Sequence, residues 1–333
     1  MISQNELKEK IGKLKGPIFV FGAGGFIGIN LFNTIFQYRD DVFAITQDPR
    51  NNWRFIINDI PERNIVSCDI NDIIILNNTL DEYKPQTIFN LAAYGAYSKQ
   101  KEYKKIYGTN FNSAVNIIEL MKDRGFEAYV HAGSSSEYGI NSTAPEEDNE
   151  LIPNSHYAVS KVASYYAIKY YGLIEKLNVA HLRLYSAYGP WEEPDRLVPV
   201  LIAAARKKTY PPLVDPDISR DFIYVDDVCE AFITTATDIE KAKGQAFNIG
   251  TGVKTTIRDL ANLIMREYGI ANPPEFGSMP NRNWDVQDWF SNSDKAAELI
   301  NWRSGINLTD GLARVATWQK EVNFDNAFWN WNK

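Results

Sequence analysis

Short apolar runs alternate with longer stretches of helical spacing through the first half of the chain. A first amphipathic stretch, residues 2–15, sets Ile2, Leu7, Ile11 and Leu14 near helical spacing and stops at Gly16-Pro17. Beyond it, "IFVFG", "DVFAIT", "NIVSCD", "TIFNLAAYG", "AYVHAGSSSEYG" and "NVAHLRLYSAYGP" read as six strands. Between them, "GFIGINLFNTIFQY", "DIIILNNTLDEY", "KEYKKIYGTNFNSAVNIIELMKDRG" and "YAVSKVASYYAIKYYGLI" carry helical periodicity. Fully apolar strands in strict alternation with helices predict a parallel sheet covered on both faces, an α/β fold of the doubly wound, Rossmann type. After Tyr188 the pattern loosens. Prolines cluster from Pro190 to Pro216, and a second irregular stretch is "YGIANPPEFGSMPNRNWDVQDWF". Helical spacing persists in "LVPVLIAAARKK" and "VDDVCEAFITTA".

The composition changes this picture little. With 333 residues, 44% hydrophobic and 23% charged, the chain has the make-up of a globular protein with a sizeable core. No apolar run has the length of a membrane span, and "MISQNELKEK" has no signal-peptide core, so a cytoplasmic protein is expected. A net charge of −7 argues against a nucleic-acid or acidic-membrane partner. Two cysteines, Cys68 and Cys229, are expected as buried thiols. Three histidines without a cysteine cluster give no zinc pattern, and no metal is expected.

Three stretches carry chemistry. In "FGAGGFIG", Gly22, Gly25 and Gly28 lie between an apolar strand and a helix. Such glycines allow a tight turn, close approach of a pyrophosphate and close helix–strand packing, with the helix N-terminus facing the phosphates. In "YAVSK", Tyr157 and Lys161 share one helix face a turn apart, where an ammonium can lower the pKa of a phenol. In "GSSSEYG", Ser134 ends a strand at the sheet's carboxyl edge and can hydrogen-bond a substrate oxygen. Each has a plainer reading, a bare turn, a surface Tyr/Lys pair or a polar loop; for the Tyr/Lys pair alone the plainer reading is the better one, whereas the position of the glycines between strand and helix favours a phosphate cradle.

Together with "CDI", "FNLAA", "GTN", "RLYSAYGP", "RDFIYVDD", "FNIGTG" and "RNWDVQDW", in that order, these stretches resemble the extended short-chain dehydrogenase/reductase family, in its nucleotide-sugar epimerase and dehydratase branch. The resemblance runs from Pro17 to about Trp318. It implies a dinucleotide-binding domain over 17–185 with returning segments about 219–251. It also implies a smaller C-terminal substrate-binding lobe, mainly 186–218 and 252–333, and an N-terminal extension over 1–16. It implies that Gly22, Gly25, Phe26, Ile27 and Gly28 hold the pyrophosphate, that Asp69 and Ile70 meet the adenine, and that Leu91, Ala92, Ala93 and Asn110 line the cofactor. Tyr157 would be the general acid and base, Lys161 its pKa partner and ribose anchor, and Ser134 the hydroxyl donor. Ser135, Ser186, Arg220, Arg282 and Asp285 would meet a nucleotide-diphosphate sugar, with two guanidinium groups suited to a diphosphate.

The chain departs from that family at three places. Dehydratases of the branch carry an Asp-Glu pair after the catalytic serine or threonine; here Ser135 and Ser136 stand there, and Glu137 comes one residue late. Many relatives have Asn where this chain has Ser186. Thr46 replaces the usual ribose-binding acid, with Asp48, Arg50 and Arg54 close by. Asp48 would favour NAD; neutral Thr46 with the two arginines leans to NADP. The expected activity is hydride transfer at C4, as a 4-epimerase or 4-ketoreductase. A 4,6-dehydratase and a non-catalytic dinucleotide-binding protein are the alternatives. A homodimer is expected through two long helices, roughly 98–123 and 155–173. His131 reads as structural and His156 as the residue that opens a helix. Trp191, Trp284 and Trp289 read equally as packing or stacking residues, and the aromatic tail "FDNAFWNWNK" as a docking segment.

Overall fold

The computed structural model describes residues 2–97, 99–279 and 286–322. Arg282, Trp284, Asp285 and the aromatic tail lie outside them. Seven parallel strands form one sheet: β1 Ile18–Phe21, β2 Val42–Thr46, β3 Ile65–Ser67, β4 Thr87–Asn90, β5 Ala128–Ser134, β6 Val179–Leu184 and β7 Ala246–Ile249. Their order is β7-β6-β5-β4-β1-β2-β3. The chain winds outward from β1 on both sides, so the strand order reverses between β1 and β4 and opens a crevice at their carboxyl ends. The seventh strand comes from the returning segment. "AFNI" is a short apolar run that borders no amphipathic helix of the alternating pattern.

Side chains alternate across β1 as a sheet buried on both faces requires. Ile18 and Val20 join an apolar layer with Ile29, Phe32, Val228, Phe232 and Trp302. Phe19 and Phe21 join the opposite layer with Ile45, Ile117, Ile118 and Ile168. The N-terminal helix Gln4–Lys13 starts at a capping box between Ser3 and Glu6 and buries Ile11 in the first layer. Arg39, paired with Asp41 at 2.6 Å, donates to the carbonyls of Ile11 and Leu14 and ties this helix to the sheet.

A third apolar cluster is separate from both sheet layers. It packs the helices Leu197–Arg206, Ile257–Tyr268 and Leu308–Glu321 through Leu201, Ile202, Leu260, Ile264, Leu312 and Val315. The helix Asp294–Ile300 and Trp302 instead pack against the sheet, with Trp302 Nε1 donating to the Asp227 carbonyl at 3.1 Å. Two long helices flank the opposite layer. The first runs as Tyr103–Tyr107, a π-turn Gly108–Asn112 and Ser113–Lys122; the second is His156–Leu173.

Candidate active site

The glycine loop closes on itself at the end of β1. Gly22 has φ +76°, and a Cβ there would fall 2.6 Å from the Ala92 amide nitrogen. A Cβ at Gly28 would overlap the Gly22 carbonyl, whereas one at Gly25 would meet nothing nearer than that oxygen at 3.2 Å. Gly25 caps the helix Phe26–Phe36 without a side chain, so the first amides of that helix face the cavity unscreened. Asn52 Nδ2 and Arg54 donate to the Gly24 carbonyl and hold the outer side of the loop.

A cavity of about 930 Å³ opens over the carboxyl ends of β1–β6. That is the upper range for a small-molecule site. Gly22, Gly25, Phe26, Ile27 and Gly28 line one wall, and Thr46, Asp69 and Ile70 line the end beyond β2 and β3. Asp69 there accepts from Gln47 Nε2 at 2.9 Å and from the Asn71 amide. Leu91, Ala92 and Ala93 follow β4. Ser134, Ser135, Tyr157 and Lys161 stand over β5, and Ser186 and Arg220 line the cavity as well. The glycine cradle, the free helix N-terminus and the volume of the cavity fit a dinucleotide.

Three expected cofactor residues lie elsewhere. Asp48 and Arg50 are exposed and do not line the cavity; Asp48 accepts instead from Asn51 Nδ2. Asn110 is fully buried. Its carboxamide oxygen accepts from the Tyr94 amide, and its nitrogen donates to the Tyr94 carbonyl and to Ser160 Oγ, each at 2.8 Å. It joins the π-turn, the loop after β4 and the helix of Tyr157, and so supports the wall without forming it. Arg54, half of the reason for favouring NADP, is buried. It donates to the Trp191 carbonyl and pairs with Glu193 at 2.9 Å.

The Tyr157–Lys161 relationship differs from the sequence expectation. The Lys161 ammonium lies 5.8 Å from the Tyr157 ring and donates to the Ala132 carbonyl at 2.7 Å. Burial pushes the Tyr157 phenol up to about 12, against the opposing hydrogen bond from Ser134 and the charge of Arg196. Burial likewise brings Lys161 down to about 8, against the attraction of Glu137. In this state burial outweighs the helix-face pairing for both groups.

Beneath the site runs a buried polar network. Glu137 Oε1 accepts from the Ser134 amide and His181 Nε2, each at 2.8 Å. Its Oε2 accepts from Arg183 Nε at 2.7 Å. Burial would raise the Glu137 carboxyl, but His181, Arg183 and the Ser134 amide outweigh it and hold it below its ordinary value. His181 is itself held down by burial, so the lasting counter-charge is Arg183 and His181 serves as an N–H donor. Glu137 is 0% exposed and does not line the cavity, which removes it from the place of a dehydratase acid. His131 is also fully buried, stacked between Tyr129 and His181.

Several lining residues carry no motif: Tyr97, Lys101, Lys105, Glu192 and Arg196. Tyr97, Lys101 and Lys105 follow the carboxyl end of β4, where a cluster of aromatic and basic residues is itself a sequence signal. Arg196 lies over the Tyr97 ring at 5.5 Å and 3.7 Å from Glu192. Burial lifts Glu192 to about 8, against the pull of Arg196. Trp289 lines the cavity with the Arg220 guanidinium 5.2 Å from its ring, whereas Trp191 packs against Trp53 and Trp318 in the core. Next to Arg220, the buried Asp221 accepts from the amides of Thr251, Gly252 and Ser291 and from the hydroxyls of Thr251 and Ser291.

Fold and cavity together define a doubly wound α/β protein whose large cavity at the strand ends is lined by a glycine loop and by Ser134, Tyr157 and Lys161. Comparison with known proteins narrows that class. Residues 18–250 match the NAD dependent epimerase/dehydratase family, and the chain belongs to it. A UDP-glucose 4-epimerase of Mycolicibacterium smegmatis is 29% identical over 305 residues, spanning 89% of this chain and 96% of the relative. MoeE5, solved in complex with UDP-glucuronic acid and NAD, superposes with TM-score 0.79 at 26% identity over 92% of this chain and 99% of that one. An epimerase of Methanothermobacter thermautotrophicus shares the fold at TM-score 0.84 and 23% identity, covering 98% of each chain. Among the described residues, no helix is long and apolar enough to cross a membrane.

Proposed function

We propose that the protein is an NAD-dependent 4-epimerase of UDP-linked hexoses, with Ser134, Tyr157 and Lys161 as its catalytic residues. One observation carries the reading: a single cavity runs from the glycine cradle, past Ser134, Tyr157 and Lys161, to Arg220 and Trp289. The sequence relative named for UDP-glucose 4-epimerisation and the neighbour holding UDP-glucuronic acid with NAD support the substrate class. The family description and the burial of Arg54 favour NAD over NADP.

NAD, held by Gly22, Gly25 and Gly28, would supply the hydride acceptor that C4 of the sugar needs. Tyr157, starting as the phenolate, takes the proton of the 4-hydroxyl as the C4–H bond breaks, and as the phenol gives it back after the keto sugar has turned over. Ser134 hydrogen-bonds the reacting oxygen. Lys161 holds a ribose hydroxyl and contributes positive charge beside the phenolate. Arg220 binds the diphosphate, and Trp289 and Ser186 flank it. Arg282 and Asp285 stay in this reading as further diphosphate and ribose contacts. The cofactor part is the sheet domain and the substrate part the smaller lobe.

The subunit contact lies on the helix His156–Leu173. There Val159, Tyr166, Tyr170 and Leu173 are exposed along one stripe, beside Tyr103 on the first long helix. Incubation of the purified protein with UDP-glucose and with UDP-glucuronate, followed by proton NMR, tests the reading. The 4-epimer forms without added cofactor. Stoichiometric consumption of NADPH would make it a reductase, and a 6-deoxy-4-keto product would make it a dehydratase.

A further inference from the structure

We infer that Glu137 is a positioning residue for Ser134, holding the serine's backbone so that its hydroxyl is left to donate towards Tyr157; the inference rests on the proposed role of Ser134 and Tyr157.

Ser134 ends β5 and caps the turn Ser135–Tyr138. Its hydroxyl oxygen accepts from the Ser136 amide at 3.2 Å and from Ser136 Oγ at 2.8 Å. With both lone pairs engaged, the Ser134 hydroxyl has only its own proton left to offer, and it lines the same cavity as Tyr157. That outcome depends on where the Ser134 backbone sits. Glu137 fixes it from below through the 2.8 Å bond from the Ser134 amide.

Glu137 is itself held at two points besides the Ser134 amide. Arg183 takes Oε2, His181 takes Oε1, and the Arg183 guanidinium also donates to Tyr138 Oη at 2.7 Å and to the Glu147 carbonyl at 2.9 Å. Tyr138 Oη donates onward to Asn248 on β7 at 2.8 Å. The frame therefore spans β5, β6 and β7, and Glu137, His181, Arg183 and Asn248 are all 0% exposed. Gly133 fits against it, since a Cβ there would fall 2.6 Å from Glu137 Oε1. A buried ion pair is a poor source of stability compared with apolar side chains of the same size. Its use directly under the serine is better accounted for by placement than by stability.

Glu137→Gln tests this, with Tyr138→Phe as the control, which cuts the same buried frame without touching the Ser134 amide. Two quantities are read: kcat and KM with the UDP-sugar that the wild type turns over, and amide hydrogen exchange of the segment holding Ser134. In Glu137→Gln, kcat falls about tenfold or more with KM within about twofold, and exchange at Ser134 speeds up about tenfold. Tyr138→Phe lowers Tm but leaves both near wild type. Wild-type kcat and exchange in Glu137→Gln would overturn the inference. So would equal losses in Tyr138→Phe, because the frame would then act only as core. If Glu137→Gln fails to fold, Glu137→Asp, with the charge on a shorter arm, is read by the same criteria. A wild type that turns over no UDP-sugar sinks the proposed activity, and the exchange data then decide this inference alone.

Discussion

The Glu137 carboxylate and the Arg183 guanidinium meet at 2.7 Å with neither side chain exposed. Removing the cation alone strands a buried anion. Arg183→Met is therefore expected to cost about 3–5 kcal/mol in urea unfolding, and Glu137→Leu combined with Arg183→Met to recover part of it. The pair also sets an acid limit. The folded carboxyl lies below its ordinary 4.5, so its contribution is complete above that pH and is lost as pH falls through the lower folded value. Recovery absent from the double variant would mean that the charges themselves are not the source of the cost.

Tyr157→Phe keeps the ring and deletes the hydroxyl that exchanges the proton. Turnover should drop at least about a hundredfold, while NAD retention and Tm stay near wild type. Near-normal turnover would remove Tyr157 from the reaction.

Lys161 supplies a stability profile with a definite sign. Burial depresses it from 10.5 to about 8, so between those pH values the folded protein binds fewer protons than the unfolded chain, and stability rises with pH. Relative to Lys161→Met, wild type should gain up to about 3 kcal/mol from pH 8 to 10.5, measured by urea unfolding at stepped pH. A flat difference would show that the ammonium is not depressed.

Two glycines of one motif should respond differently. Gly28→Ala drives a methyl into the Gly22 carbonyl, whereas Gly25→Ala meets that oxygen at 3.2 Å. Gly28→Ala should abolish NAD retention and lower Tm; Gly25→Ala should keep the fold and weaken NAD binding by crowding the helix N-terminus. Isothermal titration with thermal melts separates the two, and equal effects would count against the loop geometry.

Tyr166, 57% exposed on the second long helix, lies at the middle of the proposed subunit stripe. Tyr166→Glu should convert a dimer to a monomer by light scattering, and an unchanged mass would move the contact elsewhere.

The sheet was legible because β1 to β6 are short apolar runs separated by helical spacing, and those patterns depend only on local burial. Gly22, Gly28, Ser134, Tyr157 and Lys161 were picked out by the order of the motifs that carry the family resemblance, and the structure brings them to one cavity. Long-range partners escaped. Nothing near Arg54 in sequence tells that it is spent on Trp191 and Glu193, more than a hundred residues on. Asn110 reads as a cavity residue until its carboxamide is seen gripping Tyr94 and Ser160. The raised Tyr157 phenol escaped too, because spacing conveys which charge is near but not how much water has been removed.

Asp221 gathers five donors from two distant segments on a single carboxylate, immediately beside Arg220. Mechanically this is a rivet. The stretch after β7 and the stretch around Ser291 cannot slide past each other, or past Arg220, without breaking several of these bonds at once. Arg220, one residue before the rivet, is thereby anchored at the cavity wall to both stretches at once.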